Sequence, residues 1–169
     1  MGDDMSDEKA GVVGVGAGAA GFAVAETAER LTALAGAFDT LSASAQTIDL
    51  ADPGAWLDCY TGDGVFRFQP TMGAPDLFRL EGHDALRAWF AEHRGRIPAG
   101  AQTHLLANPR LRADGEDLVA DSTYVTLLAS NGSLVVASSG LWMDRLRRER
   151  DGRWRISERC AVRVMPQTR

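Results

Sequence analysis

Cysteine is scarce in this sequence: Cys59 and Cys160 are the only two among 169 residues. Two cysteines in a chain of this length do not make a disulfide framework, and their wide separation lacks the C-x-x-C spacing of zinc and redox sites. Long hydrophobic runs are also missing, since none approaches the ~20 residues that a membrane helix needs. These absences predict one globular domain in a reducing cytoplasm, with no membrane partner.

Positive charge is in the minority, with 18 basic residues against 23 acidic ones and a formal net charge of -5. A general nucleic-acid binder needs a basic surface that releases counterions, so nucleic acid is not an expected partner. The signs are segregated along the chain: residues 1–63 hold 11 acids, whereas residues 145–169 hold nine arginines. Those arginines alternate with apolar residues, a pattern typical of a solvated sheet face or a subunit contact.

The N-terminal segment is rich in glycine, and Gly16, Gly18 and Gly21 spell the G-x-G-x-x-G pattern of dinucleotide-binding proteins. That fingerprint requires a strand before it and a second strand after its helix, and the sequence indicates no such unit. A secretory signal is also disfavoured, because the chain begins with an acidic stretch where a signal carries positive charge. We expect residues 1–22 to form a disordered, acidic, glycine-rich tail and residues 23–166 to form the domain.

The first long element is a helix that ends near an acid. Apolar residues recur at helical spacing from Val24 to Ile48, with Phe38 near the middle of the stripe. At about 100° per residue, Asp49 falls inside this stripe and points toward the core. A buried carboxylate is costly unless it is paired or hydrated, so this acid is the first candidate functional residue. The alternative is that the helix ends at Thr47 and that Asp49 caps the next helix.

The remaining elements change from helices to strands along the chain. Asp52-Pro53 predicts the start of a short second helix, and Gly82-His83-Asp84 predicts the start of a third. A turn at Gly62-Asp63-Gly64 and two short strands are predicted between them. After Pro98 the pattern predicts four long strands separated by hairpin turns: Thr103–Arg112, Leu118–Leu128, Ser133–Arg148 and Trp154–Val164. Helices followed by an antiparallel meander indicate an α+β fold, with the helices covering one face of a curved sheet.

Four short motifs follow one another along the chain. They are Ile48-Asp49 with the later Asp63-Gly64-Val65-Phe66, then Glu81-Gly82-His83-Asp84-Ala85-Leu86, then Thr103–Asn108, then Gly140–Leu146 with Asp151–Ile156 and Arg159. In this order they resemble the SnoaL-like branch of the nuclear transport factor two-like superfamily, over about residues 24–165. Within that branch, the sequence most resembles scytalone dehydratase and the β subunits of ring-hydroxylating dioxygenases. The resemblance implies a cone-shaped α+β barrel around one apolar pocket, commonly dimeric, with no metal and no cofactor.

The resemblance also implies a catalytic pair. In scytalone-dehydratase-like enzymes an acid at the end of the first helix faces a strand histidine, and Asp49 and His104 match those positions. A carboxylate beside an imidazole holds its tautomer and raises its basicity, which suits a general base near neutral pH. The sequence departs from the dehydratase pattern at Ile48, where that pattern has tyrosine, and it lacks the second histidine. Ser122, Thr123 or Tyr124 lies near that missing position, and Tyr124 is the candidate, either as a hydrogen-bond donor in the pocket or as a structural phenol. His104 has the alternative of a core histidine.

Aromatic residues are the candidates for lining a substrate pocket. The predicted substrate-binding residues are Trp56, Tyr60, Phe68, Trp89 and Trp142, with plain core packing as the alternative for each. Trp142 and Met143 point to opposite faces of their strand, and we expect Trp142 to face the pocket. Asp144 follows on the same face as a candidate acid at the pocket rim. We predict no metal site, because no His/Asp/Glu triplet has ligand spacing.

Three functions fit these residues. The first is a cofactor-independent acid/base enzyme (a dehydratase, cyclase or isomerase) that acts on a small hydrophobic, polyketide-like molecule through Asp49 and His104. The second is a non-catalytic β-type subunit of a ring-hydroxylating oxygenase. The third is a ligand-binding protein of the same fold without turnover. In the first and third cases we expect a homodimer or another homo-oligomer.

Overall fold

The computed structural model describes residues 17–97 and 100–164, with side chains described for residues 27–93, 96–97 and 100–164. The chain divides into two compact units, residues 1–32 and residues 33–169. The first unit contributes the beginning of the long helix α1, and the second contains every other element discussed below. Most of the predicted N-terminal tail lies outside the described residues, and so does the segment that precedes the G-x-G-x-x-G pattern.

Three helices precede or interrupt the sheet. Helix α1 spans Ala17–Asp49, α2 spans Pro53–Asp58 and α3 spans Gly82–Gly95. Helix α1 therefore begins before Val24, inside the segment assigned to the tail. The predicted cap of α2 is confirmed, because the Asp52 carboxylate accepts a hydrogen bond from the backbone N–H of Ala55 at 2.9 Å.

The sheet has six strands in the spatial order β2-β1-β6-β5-β4-β3. Their bounds are Tyr60–Gln69 for β1, Phe78–Glu81 for β2, Gln102–Asp114 for β3, Asp117–Ser130 for β4, Ser133–Arg148 for β5 and Trp154–Arg163 for β6. All neighbours pair antiparallel except β1 and β6, which are parallel. The predicted α+β class is confirmed: helices come first, and a curved, mostly antiparallel sheet follows. The sheet is unclosed, with β2 and β3 as its edges.

Strand β1 differs from the prediction at its beginning. The sequence predicts a turn at Gly62-Asp63-Gly64, whereas these residues lie inside β1 at a shift of its register against β6. The backbone is crowded there, since a Cβ on Gly64 would lie 2.9 Å from the Thr61 carbonyl oxygen. The glycines therefore permit an irregular strand rather than a reversal of the chain.

The buried face of α1 is rotated relative to the predicted stripe. Phe38, the predicted centre, is 47% exposed, whereas Leu41, Ala45 and Ile48 are buried. At about 100° per residue, the buried residues of α1 are centred roughly 90° from Phe38. Asp49 lies about 110° from that centre. This is the edge of the buried face, where its carboxylate can meet a partner on another element.

No helix among the described residues is long and apolar enough to cross a membrane.

Candidate functional site

One cavity of about 450 Å³ opens within the second unit, between the helices and the inner face of the sheet. Its walls are strongly aromatic, with eight aromatic side chains at its lining: Trp56, Tyr60, Phe66, Phe68, Phe78, Trp89, Tyr124 and Trp142. A volume of this size accepts a drug-sized small molecule. The polar groups among these rings therefore decide which chemistry the cavity supports.

Asp49 and His104 meet at this cavity in a double contact. Nδ1 of His104 lies 2.7 Å from Asp49 Oδ1, and the backbone N–H of His104 donates to Asp49 Oδ2 at 2.6 Å. Both side chains are largely buried, at 10% exposure for His104 and 16% for Asp49. A carboxylate accepts only, so Nδ1 carries the proton and Nε2 is the free nitrogen of the neutral ring. His104 lines the cavity, and Asp49 lies behind it.

The end of α1 explains why Asp49 reaches this position. The helix continues through Asp49, so the alternative in which it ends at Thr47 and Asp49 caps the next helix is wrong. Asp52 takes the capping role instead, after a break at Ala51, which has a positive φ of 59°. The Asp49 carboxylate is therefore not used as a helix cap and can bind His104 of strand β3.

Gln102 is the polar neighbour of the free imidazole nitrogen. Its Nε2 lies 3.0 Å from Nε2 of His104, two residues along β3 on the same face. The side-chain amide can donate to a neutral imidazole, or its oxygen can accept from a protonated one after a rotation. Sequence reasoning missed this residue, although the two-residue spacing from His104 was a usable signal.

Tyr124 lines the cavity from β4, the strand next to the one that carries His104. Its ring stacks on Trp142 with centroids 5.2 Å apart, and its hydroxyl lies 3.3 Å from Ser138 Oγ. Burial raises the pKa of Tyr124, so the phenol stays protonated and can donate. The ring passes over Gly140, where an added Cβ would lie 2.8 Å from the ring and 1.9 Å from the Val162 carbonyl oxygen. Glycine is therefore required at that position for the tyrosine to lie flat against the sheet.

All five predicted substrate-binding residues line the cavity. Trp56 stacks with Trp89 at 5.6 Å, and Tyr60 packs against Trp56 at 5.0 Å. Trp142 lines the cavity, as expected, and Phe68 stacks with Phe78. The same rings also belong to the hydrophobic core or pack against it, so one layer of side chains both lines the cavity and packs the core.

A buried ion pair lies beneath this wall. Nε and Nη2 of Arg159 donate to the two carboxylate oxygens of Asp144 at 2.6 and 3.1 Å, and Nη1 donates to Ser44 at 3.0 Å. Burial alone lowers the pKa of Arg159, but the attraction of Asp144 outweighs it and raises the pKa, so the guanidinium stays charged. The charge lies 4.1 Å from the Trp142 ring centroid. Asp144 is thus a buried partner and not the predicted acid at the pocket rim.

The arginines near the C-terminus were predicted to face solvent or another subunit. The prediction is wrong for Arg159, which is 3% exposed, and for Arg163, which lines the cavity. Other arginines of the last strands do form exposed ion pairs with acids from early in the chain. Arg147 pairs with Asp63, and Arg153 pairs with Asp58. The segregation of charge along the sequence is therefore partly removed by pairing in space.

His93 also lines the cavity, where its ring stacks on Trp89 at 4.7 Å. The sequence places it only as a partly exposed residue of α3, and its spacing of four from Trp89 was the available signal. Within the described part of the chain, no three His, Cys, Asp or Glu residues come together as metal ligands.

Comparisons with known proteins agree with this geometry. Residues 29–160 match the family model described as SnoaL-like domain. No match was found among the curated proteins.

Solved structures share the fold at low sequence identity. Rv3472 of Mycobacterium tuberculosis, a protein of unknown function, is 25% identical over 83% of this chain and 77% of that chain, with a TM-score of 0.72. An NTF2-like protein with a cystatin-like fold from Novosphingobium aromaticivorans is 18% identical over 86% and 90%, with a TM-score of 0.74. ActVI-ORFA of Streptomyces coelicolor is 20% identical over 77% and 96%, with a TM-score of 0.65.

Proposed function

The chain belongs to the SnoaL-like domain family, and on that premise we propose that it is a cofactor-independent acid/base enzyme for a small hydrophobic molecule. The reaction is a dehydration, cyclisation or isomerisation that begins with removal of a proton next to a carbonyl group. Because the fold hosts unrelated functions, the proposal rests on the site and not on the fold.

The observation that carries the proposal is the double contact between Asp49 and His104. It fixes the tautomer and the orientation of an imidazole that lines the cavity and leaves Nε2 as its acceptor nitrogen. A histidine that only filled the core would not need a carboxylate on both its ring and its backbone. An imidazole held in this way can take a proton at Nε2 and return it without changing its orientation.

The proposed first step is proton abstraction. The Gln102 amide turns away from Nε2 of His104 as the substrate binds, and Nε2 then takes the proton next to the substrate carbonyl. Asp49 stabilises the imidazolium that forms. The Tyr124 hydroxyl donates to the carbonyl oxygen, where negative charge develops as the enolate forms. Its raised pKa keeps the phenol protonated, so it remains a donor throughout.

The proposed second step returns the proton. In a dehydration, the imidazolium gives its proton to the departing β-hydroxyl, which leaves as water while the enolate electrons form the new double bond. Gln102 can hydrogen-bond to both protonation states of His104, since its side-chain amide can present a donor or an acceptor to Nε2. The aromatic walls exclude water and hold a flat substrate against Trp142.

The test uses a bicyclic β-hydroxy ketone, 3-hydroxy-1-tetralone, whose dehydration gives 1-naphthol and water. We expect the wild-type protein to accelerate naphthol formation, and Asp49→Asn and His104→Gln to abolish most of that acceleration. Asp121→Asn is the matched control, because that half-exposed carboxylate pairs with Arg112 on the surface. Turnover that survives in both site variants would refute the assignment of the pair. Ligand binding without any turnover would favour the function of a binding protein.

A further inference from the structure

The guanidinium of Arg163 faces the cavity without a charged partner. Among the residues whose side chains the structure describes, it forms no ion pair, and its Nε is buried with no hydrogen-bond partner. Buried donors of native proteins are nearly always hydrogen-bonded, so an unused one in a cavity wall requires an explanation. Nε itself is closed to a ligand, but the Nη groups of the same guanidinium lie at the cavity, where a ligand can supply an acceptor.

The other two arginines at the cavity differ from Arg163 in this respect. Arg159 is bound by both carboxylate oxygens of Asp144, and Arg96 pairs with Glu92 one helical turn away. Their charges are therefore balanced within the protein. Within the described residues, Arg163 is the arginine of the cavity wall whose charge is left uncompensated.

Strand alternation places Arg163 on the inner face. Arg159, Ala161 and Arg163 all line the cavity at two-residue spacing along β6. The guanidinium carbon of Arg163 lies 5.4 Å from the Phe68 ring centroid, so its flat group lies against an apolar wall. It is half-buried, whereas Arg159 is fully buried, which puts Arg163 nearer the opening.

The distance between Arg163 and His104 determines how long a ligand must be to contact both residues. Arg163 is opposite Gly140 on β5, and Gly140 is opposite Tyr124 on β4, beside β3, which carries His104. Three strand spacings separate the strands of Arg163 and His104, roughly 14 Å along the sheet at about 4.8 Å each. The curvature of the sheet brings the two side chains closer across the cavity. Trp142 lies between them.

We propose that the substrate of this cavity is an aromatic carboxylic acid whose carboxylate binds Arg163 while its ring system lies between Phe68 and Trp142, toward His104. The inference rests on the proposed function in one respect: that function is the reason for placing the reacting end of the ligand at His104. The planar fork of arginine matches a carboxylate with two parallel hydrogen bonds, here from the two Nη groups of Arg163. The anion would also balance the uncompensated charge of Arg163.

The test compares a matched pair of probes, 2-naphthoic acid and its neutral isostere 2-naphthamide, by titration calorimetry at pH 7. We expect the wild-type protein to bind the acid about tenfold or more tightly than the amide, because charge-assisted hydrogen bonds are the stronger kind. Arg163→Gln should reduce the affinity for the acid to that for the amide. Arg163→Lys should keep part of the preference, since it keeps the charge and loses the fork.

The control variant is Arg110→Gln, which removes an equal charge from an exposed arginine of β3 that lies outside the cavity lining. It should bind both probes as the wild-type protein does. An acid that binds no better than the amide, or not at all, would overturn the proposal. A preference for the acid that survives in Arg163→Gln would overturn it as well.

The binding test of Arg163 gives its result whether or not the protein catalyses the proposed reaction. If the protein fails to dehydrate 3-hydroxy-1-tetralone but its preference for the acid depends on Arg163, the proposed function fails and the anion site stands. If turnover depends on Asp49 and His104 but no acid preference appears, the proposed function stands and the anion site fails.

Discussion

Asp49 binds both the backbone and the ring of His104, with Oδ2 on the backbone N–H at 2.6 Å and Oδ1 on Nδ1 at 2.7 Å. The two contacts join the end of α1 to the edge strand β3, so one carboxylate positions the strand and the imidazole together. A single contact would leave the ring free to rotate. The double contact makes His104 a group of fixed tautomer, and each prediction about the site follows from that.

The first prediction concerns the tautomer of His104. In Asp49→Asn the amide offers one oxygen and one NH2 group to two N–H donors, so one of the two contacts must be lost. We expect the variant to fold and the proton to redistribute between the ring nitrogens. Nitrogen-15 NMR of the imidazole should find the proton on Nδ1 in the wild-type protein at a pH where the ring is neutral. A proton on Nε2 in the wild-type protein would contradict this prediction.

The second prediction concerns the Asp144–Arg159 pair beneath Trp142. Asp144→Ala leaves the Arg159 cation buried without its carboxylate, and the loss of one partner of a buried pair costs about 3–5 kcal/mol. Replacing both, as in Asp144→Leu with Arg159→Met, should recover much of that loss, because no charge remains buried. Urea unfolding of the three proteins measures this. A double variant as unstable as Asp144→Ala would show that the charges themselves stabilise the fold.

The third prediction concerns Gly140. An added Cβ would lie 1.9 Å from the Val162 carbonyl oxygen, a distance that no small side-chain movement relieves. We expect Gly140→Ala to lower the free energy of unfolding by at least about 1–3 kcal/mol, the usual range for overpacking. Gly62→Ala is the matched control, since that glycine is also in a strand but its Cβ would meet nothing within 4 Å. Equal stability of the two variants would show that the sheet adjusts at Gly140.

The fourth prediction concerns pH. Burial raises the pKa of the Cys59 thiol from 9.0 to about 11. Between these values the unfolded chain loses the thiol proton while the folded chain keeps it, so alkali favours the unfolded state. Cys59 should therefore reduce the free energy of unfolding by about 2 kcal/mol between pH 8 and pH 10.5.

Denaturant unfolding at the two pH values, on the wild-type protein and on Cys59→Ala, isolates this contribution. The variant should lose about 2 kcal/mol less than the wild-type protein over the same interval. An equal loss in both proteins would mean that the thiol of the folded chain titrates as in the unfolded chain.

Much of the fold was accessible from the sequence because its signals are local. Asp-Gly and Asn-Gly pairs mark the hairpins, and Asp52-Pro53 marks the start of α2, as the structure confirms. The turn predicted at Gly62-Asp63-Gly64 is wrong, because glycine favours an irregular strand as much as a reversal and only the pairing of β1 with β6 decides between them. The beginning of α1 was also misplaced, since small residues carry little periodicity.

The site was predictable only in part. Helix phase and the family resemblance both pointed to Asp49, whereas His104 was found from the resemblance alone. The structure brings the two together, and their roles stay predictions. Arg159 and Arg163 were missed as cavity residues because an arginine on an alternating strand normally faces solvent. The inward direction of Arg159 depends on Asp144, one strand away, a pairing that is not visible in the sequence. The predicted small-molecule and homo-oligomer partners also stay predictions.

The most direct measurement of the central claim is proton exchange next to a carbonyl group. The protein is incubated in D2O with 1-tetralone, and the loss of the proton signal at C2 is followed by NMR. The account predicts exchange well above the buffer rate in the wild-type protein and in Asp121→Asn, and a reduction of about 10²-fold or more in His104→Gln and Asp49→Asn. Exchange at the buffer rate in the wild-type protein, or undiminished exchange in both site variants, would contradict it.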